Sequence, residues 1–228
     1  MDTIPYLLQT IIATDPLVTT ARRMSMLKKD LSFTYNRMKG SRFTKILKLW
    51  LTPGVRAVIV FRFGNWLLTQ PSYVRFCLKL FYIFLQRRMM SKWGIELNAG
   101  ATIGGGLRIA HYGGIFVGDD VVIGENCIIS HDVTIGLSGS GARRGAPVIG
   151  DNVYIAPGAK IVGKIRIGHN AQIGTNAFVY RNVPDNALVQ VSPVQIVVIP
   201  SYGARQVPQQ PDDQQGVKPD SNLKDQLE

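Results

Sequence analysis

The feature that most constrains this chain is an aliphatic residue that returns at nearly every sixth position between Glu96 and Val183. A period of six matches neither an amphipathic helix nor an alternating strand, and sustained repeats of this kind are typical of a β-solenoid. The sequence therefore predicts a coil whose turns each have three six-residue sides, with about four to five turns. The repeated residues are Leu97, Ile103, Ile109, Val117, Ile123, Ile129, Ile135, Ile149, Ile155, Ile161, Ile167, Ile173 and Val179.

A second inward position and a set of glycines support this interpretation. Four residues after most of the aliphatic residues stands another small or apolar one, such as Ala101, Val121 or Cys127. Both positions are expected to face a narrow interior, and Cys127 is interpreted as core rather than nucleophile. Glycine follows the aliphatic residue in most repeats, as expected where a backbone without Cβ turns a corner.

The repeat is interrupted twice, and we expect function at the interruptions. The interval from Ile109 to Val117 is eight residues, and the extra pair falls in the segment that contains His111. The second interruption, residues 137–147, is rich in Gly and Ser and must leave the wall as a loop.

The pattern resembles the left-handed parallel β-helix of the hexapeptide-repeat acyltransferases. Within it, the run from Glu96 through Ala101, Thr102, Ile103 and Gly104 to His111 and Gly114 is similar to the serine acetyltransferase branch. Residues 131–136 (HDVTIG) and 183–189 (VPDNALV) resemble the acetyltransferases of bacterial exopolysaccharide clusters, including the colanic acid type. The resemblance covers residues 55–197 and implies an enzyme.

The resemblance also implies a mechanism. His111 matches the histidine that takes the proton from the acceptor hydroxyl, and Glu96 takes the place of the carboxylate that orients this histidine. His131 is a further catalytic candidate, expected to face His111 across a subunit boundary, while the alternative of a polar surface residue that supports the loop stays open. Acetyl-CoA is the implied co-substrate, no metal is implied, and the resemblance implies a homotrimer with active sites between adjacent prisms.

Positions in the resemblance also suggest where CoA binds. The family uses backbone amides in the groove between prisms, together with basic side chains for the phosphates. The corresponding residues here are Gly136, Ser138, Pro157, Lys160, Thr175 and Arg181.

Three absences bear on the acceptor. Serine acetyltransferases hold serine with an acid before the catalytic histidine and with an Arg-His pair in the loop, where this chain has Ala110, Gly145 and Ala146. We therefore expect a sugar hydroxyl of a polysaccharide, or of its lipid-linked precursor, as acceptor. The alternatives are serine O-acetylation, a zinc lyase of the γ carbonic anhydrase type and a non-catalytic trimeric scaffold. The histidine spacing does not favour the zinc lyase.

The positive charge is concentrated in the N-terminal part. Residues 1–94 carry 16 Lys and Arg against 3 acids, whereas residues 95–228 carry 10 against 12. Residues 1–93 are predicted to be a basic helical segment, with helices over 22–48, 55–68 and 74–93. Two interpretations stay open: the helices cover the first turn of the coil, or they contact the inner face of the membrane peripherally. No nucleic-acid-binding module is recognised.

The remaining assignments concern location and domains. Two distant cysteines, Cys77 and Cys127, and the lack of a recognisable signal peptide favour the cytoplasm. The mainly β catalytic domain is assigned to residues 94–199. Residues 200–228 are predicted to be a disordered tail, because they contain almost no aliphatic residue.

Overall fold

The repeat coils into a prism whose three walls are parallel sheets. The structure is a computed structural model, and it describes residues 16–141 and 144–191, with side chains from residue 23 onward. Sheet A has the strand order β1-β4-β7-β10-β13, sheet B has β2-β5-β8-β11, and sheet C has β3-β6-β9-β12-β14. Nearly every third strand thus stacks in one wall, and the predicted parallel β-solenoid, preceded by helices, is confirmed.

The strands are two or three residues long and lie between the corners. Their bounds are β1 Ile95–Leu97, β2 Thr102–Ile103, β3 Arg108–Ile109, β4 Ile115–Val117, β5 Val122–Ile123, β6 Ile128–Ile129, β7 Thr134–Gly136, β8 Val148–Ile149, β9 Tyr154–Ile155, β10 Lys160–Val162, β11 Arg166–Ile167, β12 Gln172–Ile173, β13 Phe178–Val179 and β14 Leu188–Val189. Pairing is in register between repeated residues, as in Ile123 opposite Ile149.

The interior is filled by the aliphatic residues of the repeat. None of the thirteen repeated residues is more than 5% exposed, and Ala101, Val121 and Cys127 at the second inward position are fully buried. Ile165 is an exception at that position, because it is only partly buried. Each buried side chain stacks on its equivalent in the next turn, so the core is a continuous apolar column that stabilises the coil.

The corners divide two tasks between glycine and asparagine. Gly104 and Gly150 are not in the left-handed region, and glycine is required because a Cβ would approach the backbone of the next turn to 2.8 and 2.9 Å. The left-handed conformation is adopted instead by a column of asparagines, because asparagine tolerates a positive φ. In this column the side-chain amides hydrogen-bond from turn to turn at 3.3, 3.1 and 3.0 Å, through Asn126, Asn152, Asn170 and Asn186.

In the described part of the chain, four helices precede the coil. They are α1 Pro16–Asn36, α2 Arg42–Leu51, α3 Pro53–Leu67 and α4 Ser72–Trp93. The single helix predicted over 22–48 is wrong, because the chain breaks at Gly40, whose φ of 125° a helix does not allow. Among the described residues, no helix combines the length and the apolarity needed to cross a membrane. The predicted tail, residues 200–228, lies outside the described residues.

The helices cover the first turn through a buried ion pair. Arg62 of α3 donates to the carbonyl oxygens of Ile103 and Gly104, each at 2.6 Å. Asp30 of α1 accepts hydrogen bonds from the backbone N–H groups of Gly106 and Leu107 at 2.7 and 2.8 Å. These contacts satisfy backbone groups at the end of the coil, where no further turn supplies partners.

Candidate active site

The corner that joins sheet C to sheet A carries two of the predicted catalytic residues. In the first turn this corner is Ala110–Gly114, within the interval from Ile109 to Val117 that is two residues longer than its equivalents, and it closes through Gly113 and Gly114 at φ 111° and 63°. Gly113 accepts a hydrogen bond from the N–H of Asp132 in the next turn at 2.7 Å. The longer corner is therefore tied to the turn above it, and His111 is exposed on its surface. We call this corner, over all turns, the histidine corner.

His111 and His131 meet at the histidine corner within one chain. Their ring centroids are 5.8 Å apart and the ring planes are at 87°, an edge-to-face arrangement. They belong to successive turns, since His131 follows β6 as His111 follows β3. The two rings are thus neighbours without a second chain, which differs from the expectation that they face each other across a subunit boundary. The pair offers two imidazoles to a reacting group at one exposed place.

Ser130, which the sequence did not indicate, directly precedes His131 in the chain. Its side chain is 1% exposed, and its hydroxyl has no hydrogen-bond partner among the described residues. Neither composition nor spacing distinguishes this serine from the alanines at the equivalent positions of neighbouring turns, Ala110 and Ala156.

Glu96 lies on sheet A, in the first strand of that wall. It is the middle residue of β1 and stands opposite Phe116 of β4. Within the part of the chain that the structure describes, no hydrogen bond or ion pair joins its carboxylate to His111. Its charge acts on Tyr82 of α4: burial first, then the charges of Asp119 and Glu96, raise the pKa of the Tyr82 phenol to about 12. The role of Glu96 as the partner of His111 stays a prediction.

Most residues predicted to bind CoA lie at the two corners that border sheet A. Pro157 and Thr175 lie on the histidine corner, in the turns beyond His131. Gly136, Ser138 and Arg181 lie at the opposite corner, which joins sheet A to sheet B. The structure therefore does not bring the predicted set together around one cavity of a single chain, and these assignments stay predictions.

The loop that leaves the wall has a defined base. Ser138 and Gly145 exchange two backbone hydrogen bonds of 3.1 Å each. Beside this base lies a cavity of about 390 Å³, which is lined by Ser138, Gly139, Lys164, Phe178 and Tyr180 among others. The loop base therefore forms one wall of a cleft on the prism.

Lys160 forms an ion pair with Asp132, a partner that the sequence did not indicate. It is the first residue of β10, and its ammonium donates to the backbone oxygen of Asp132 at 2.7 Å and to its carboxylate at 3.1 Å. The two side chains are 37% and 63% exposed. A cation and an anion therefore form a pair, and the anion, Asp132, follows His131 directly in the sequence.

The third histidine lies elsewhere. The Nδ1 atom of His169 accepts the N–H of Asp151 at 3.1 Å, and a carboxylate oxygen of Asp151 lies 3.2 Å from the same nitrogen. His169 lies at the corner between sheets B and C. Among the described residues, no three His, Cys, Asp or Glu side chains are grouped as a metal site would require.

Comparisons with known proteins agree with one another. The family model described as bacterial transferase hexapeptide (six repeats) matches residues 146–181. A serine acetyltransferase of Mycobacterium tuberculosis is 34% identical over 154 residues, which are 68% of this chain and 65% of that protein. A serine acetyltransferase of Synechococcus elongatus is 32% identical over 147 residues, 64% of this chain and 57% of that protein. The chain thus spans between about half and two thirds of the length of these curated relatives.

A solved structure extends the similarity to the fold. The crystal structure of Neisseria gonorrhoeae serine acetyltransferase in complex with serine has a TM-score of 0.64 and 32% identity, and the match covers 82% of this chain and 72% of that chain.

These relatives correct the expected acceptor. The prediction of a sugar hydroxyl in exopolysaccharide synthesis is wrong, because the curated relatives and the similar structures are serine acetyltransferases. It relied on the missing charges at Ala110, Gly145 and Ala146.

The fold, the repeat and the relatives lead to one assignment. The match to the Neisseria protein exceeds two thirds of that chain at 32% identity. This chain belongs to the hexapeptide-repeat acyltransferase family.

Proposed function

We propose that the chain is an acetyl-CoA-dependent O-acetyltransferase and that its acceptor is the hydroxyl of serine. The observation that carries the proposal is the exposed pair of His111 and His131, whose ring centroids are 5.8 Å apart, with His111 on the lengthened turn of the histidine corner. A second support is that the relatives are named serine acetyltransferases. The pair supplies a base, and the relatives supply the class of acceptor.

The chemistry is direct transfer. His111 takes the proton of the serine hydroxyl as the oxygen attacks the thioester carbonyl of acetyl-CoA, which forms a tetrahedral intermediate. When the C–S bond breaks, the imidazolium returns its proton to the leaving thiolate, so that O-acetylserine and CoA are formed. No covalent acyl-enzyme is required. His131, edge-to-face with His111, limits the orientations that the base can adopt.

The acceptor's two charges have counterparts beside the histidines. Free serine is a zwitterion, and Asp132 and Lys160 offer one charge of each sign. In this proposal the carboxylate of Asp132 binds the serine ammonium and Lys160 binds the serine carboxylate, through charge-assisted hydrogen bonds. Both members of their mutual ion pair are accessible to solvent, so exchanging it for a ligand requires little energy.

A homotrimer completes the proposal. The predicted CoA residues lie on both corners that border sheet A, so two neighbouring prisms are needed to bring them into one groove. Large apolar side chains on all three walls are exposed in the single chain and provide contact surface: Phe116, Val122, Val148, Tyr154, Phe178 and Leu188. Light scattering of the purified protein measures the assembly directly.

The test is a product assay with the purified full chain. Mass spectrometry of the mixture with acetyl-CoA and L-serine is expected to show O-acetylserine and CoA in equal amounts, and none with L-alanine, which lacks the hydroxyl. His111→Asn is expected to lower kcat by about 10²- to 10⁴-fold. The matched control is His169→Asn, at the corner between sheets B and C, and this variant is expected to retain activity. CoA release that does not depend on serine, or full activity of His111→Asn, would contradict the proposal.

A further inference from the structure

The helix α2 presents an apolar face that nothing in the described chain covers. None of its ten residues is buried. Phe43 and Trp50 are 77% and 64% exposed. The large apolar residues follow the spacing i, i+3, i+4, i+7 and i+8, which places them on one stripe of the helix: Phe43, Ile46, Leu47, Trp50 and Leu51. Exposed apolar surface of this kind marks an interaction site.

The other side of the same helix is basic. Arg42, Lys45 and Lys48 recur at intervals of three, away from the stripe. Among the described residues, neither lysine is in an ion pair with an acid: the Lys45 ammonium lies 5.0 Å from the ring centre of Tyr35, and the Lys48 ammonium is 3.5 Å from the carbonyl oxygen of Lys39. Their charges are therefore available to an anionic partner.

The whole segment around α2 lacks negative charge. Between Asp30 and Glu96 the sequence contains no Asp or Glu and twelve Lys and Arg: Arg37, Lys39, Arg42, Lys45, Lys48, Arg56, Arg62, Arg75, Lys79, Arg87, Arg88 and Lys92. Arg62 is the one whose charge is neutralised in the buried pair with Asp30. A positive field of this extent attracts an anionic surface.

The helix α4 repeats the combination. Tyr73, Phe76 and Leu80 are 72%, 82% and 78% exposed on its outer side. The same side continues at its C-terminal end with the exposed Arg87 and Arg88. Two helices thus carry apolar and basic residues on their uncovered surfaces.

We propose that α2 binds the surface of an anionic lipid bilayer, with the apolar stripe among the acyl chains and the lysines at the head groups. Basic amphipathic helices with aromatic residues on the apolar face bind membranes in this way. Each Lys or Arg close to an anionic surface adds to the attraction. This interaction is separate from the transferase chemistry.

Charge decides between a bilayer and the other occupants. Two copies that met through the apolar stripe of α2 would leave Lys45 and Lys48 without an anionic partner, because the sequence between Asp30 and Glu96 contains no acid. A nucleic acid would engage the basic side and leave Phe43 and Trp50 in water. An anionic bilayer satisfies both sides of the helix, since it offers negative head groups above an apolar layer.

The test is flotation of the full chain with vesicles. Binding is expected to be at least about tenfold stronger to vesicles with about 40% phosphatidylglycerol than to pure phosphatidylcholine. Lys45→Glu/Lys48→Glu is expected to lower binding to the anionic vesicles by at least about tenfold. The control Lys28→Glu/Arg166→Glu, which has the same change of charge on other elements, is expected to bind like the parent. Circular dichroism shows that each variant folds.

The apolar stripe is tested separately. Phe43→Ser/Trp50→Ser is expected to weaken vesicle binding at least about tenfold while the protein's size in light scattering stays the same. Absence of binding to either vesicle type, equal binding to both, or an equal loss in the control variant overturns the proposal. A smaller assembly in Phe43→Ser/Trp50→Ser without lipid also overturns it, because the stripe would then join copies of the chain.

Discussion

Arg62 and Asp30 form a buried ion pair of 2.8 Å where the helices meet the first turn of the coil. Each side chain is at most 5% exposed and also makes hydrogen bonds to the backbone of residues 103–107. The pair therefore joins three parts of the chain, α1, α3 and the open end of the solenoid.

Removal of either partner is expected to destabilise the protein strongly. Arg62→Met or Asp30→Asn leaves a buried charge or backbone group without its partner, and each is expected to lower the free energy of unfolding by about 3–5 kcal/mol. Urea unfolding followed by circular dichroism measures the loss. The exposed pair of Lys29 and Glu125 is the control, and Lys29→Met is expected to change stability by less than about 1 kcal/mol. An equal loss of unfolding free energy in Lys29→Met and Arg62→Met would contradict this role.

Lys160 is expected to govern the KM for serine. Lys160→Met removes the cation proposed to bind the serine carboxylate, and the loss of a charge-assisted hydrogen bond is expected to raise the KM for serine about tenfold or more. The KM for acetyl-CoA is expected to stay the same. Steady-state kinetics with each substrate varied in turn separates the two, and Lys28→Met on α1 is the matched control. A rise in the KM for acetyl-CoA alone would instead assign Lys160 to CoA, as the family resemblance implies.

Tyr82 is expected to make the protein less stable at high pH. Its pKa is raised from about 10 to about 12, chiefly by burial and secondly by the charges of Asp119 and Glu96. The unfolded chain therefore loses this proton first, so stability is unaffected below pH 10 and falls as the pH rises from 10 to about 12. Unfolding in urea at several pH values, with Tyr82→Phe as comparison, measures the contribution. An identical alkaline decline in Tyr82→Phe would contradict it.

The two cysteines are expected to differ in reactivity. Cys77 is exposed and Cys127 is fully buried. Burial raises the pKa of the Cys127 thiol to about 11, which keeps the nucleophilic thiolate scarce. A thiol reagent is therefore expected to modify one cysteine per native chain rapidly and the second only in denaturant. Cys77→Ser is expected to abolish the rapid phase, and two rapid phases in the native protein would show that Cys127 is accessible.

The solenoid was predictable because its signal is repeated many times. Ile103, Ile123 and Ile149 each mark the same inward position, so an error at one residue does not change the predicted coil. The break at Gly40 was missed because one glycine in a basic, weakly periodic stretch is a faint signal. The left-handed asparagines were also missed, because the turning of the corners was assigned to the glycines.

The site was only partly predictable because it depends on contacts between turns. His111 was evident from the two extra residues, which a strict repeat makes visible. Asp132 and Lys160 are 28 residues apart in sequence, and neither breaks the pattern. Only their positions in stacked turns bring them together. The acceptor expected from three missing charges is contradicted by the serine acetyltransferase relatives, and in the proposed function Asp132 and Lys160 supply those charges from neighbouring turns.

The lengthened corner at Ala110–Gly114 shows that folding and the display of a reactive group depend on different residues in this chain. The walls and the apolar column determine whether the chain coils, whereas the number of residues at a corner determines what projects from it. A solenoid can thus gain or lose a reactive group by insertion or deletion at a bend, while the turns on either side keep their register. The reactive groups of such a protein can therefore change while its fold stays the same.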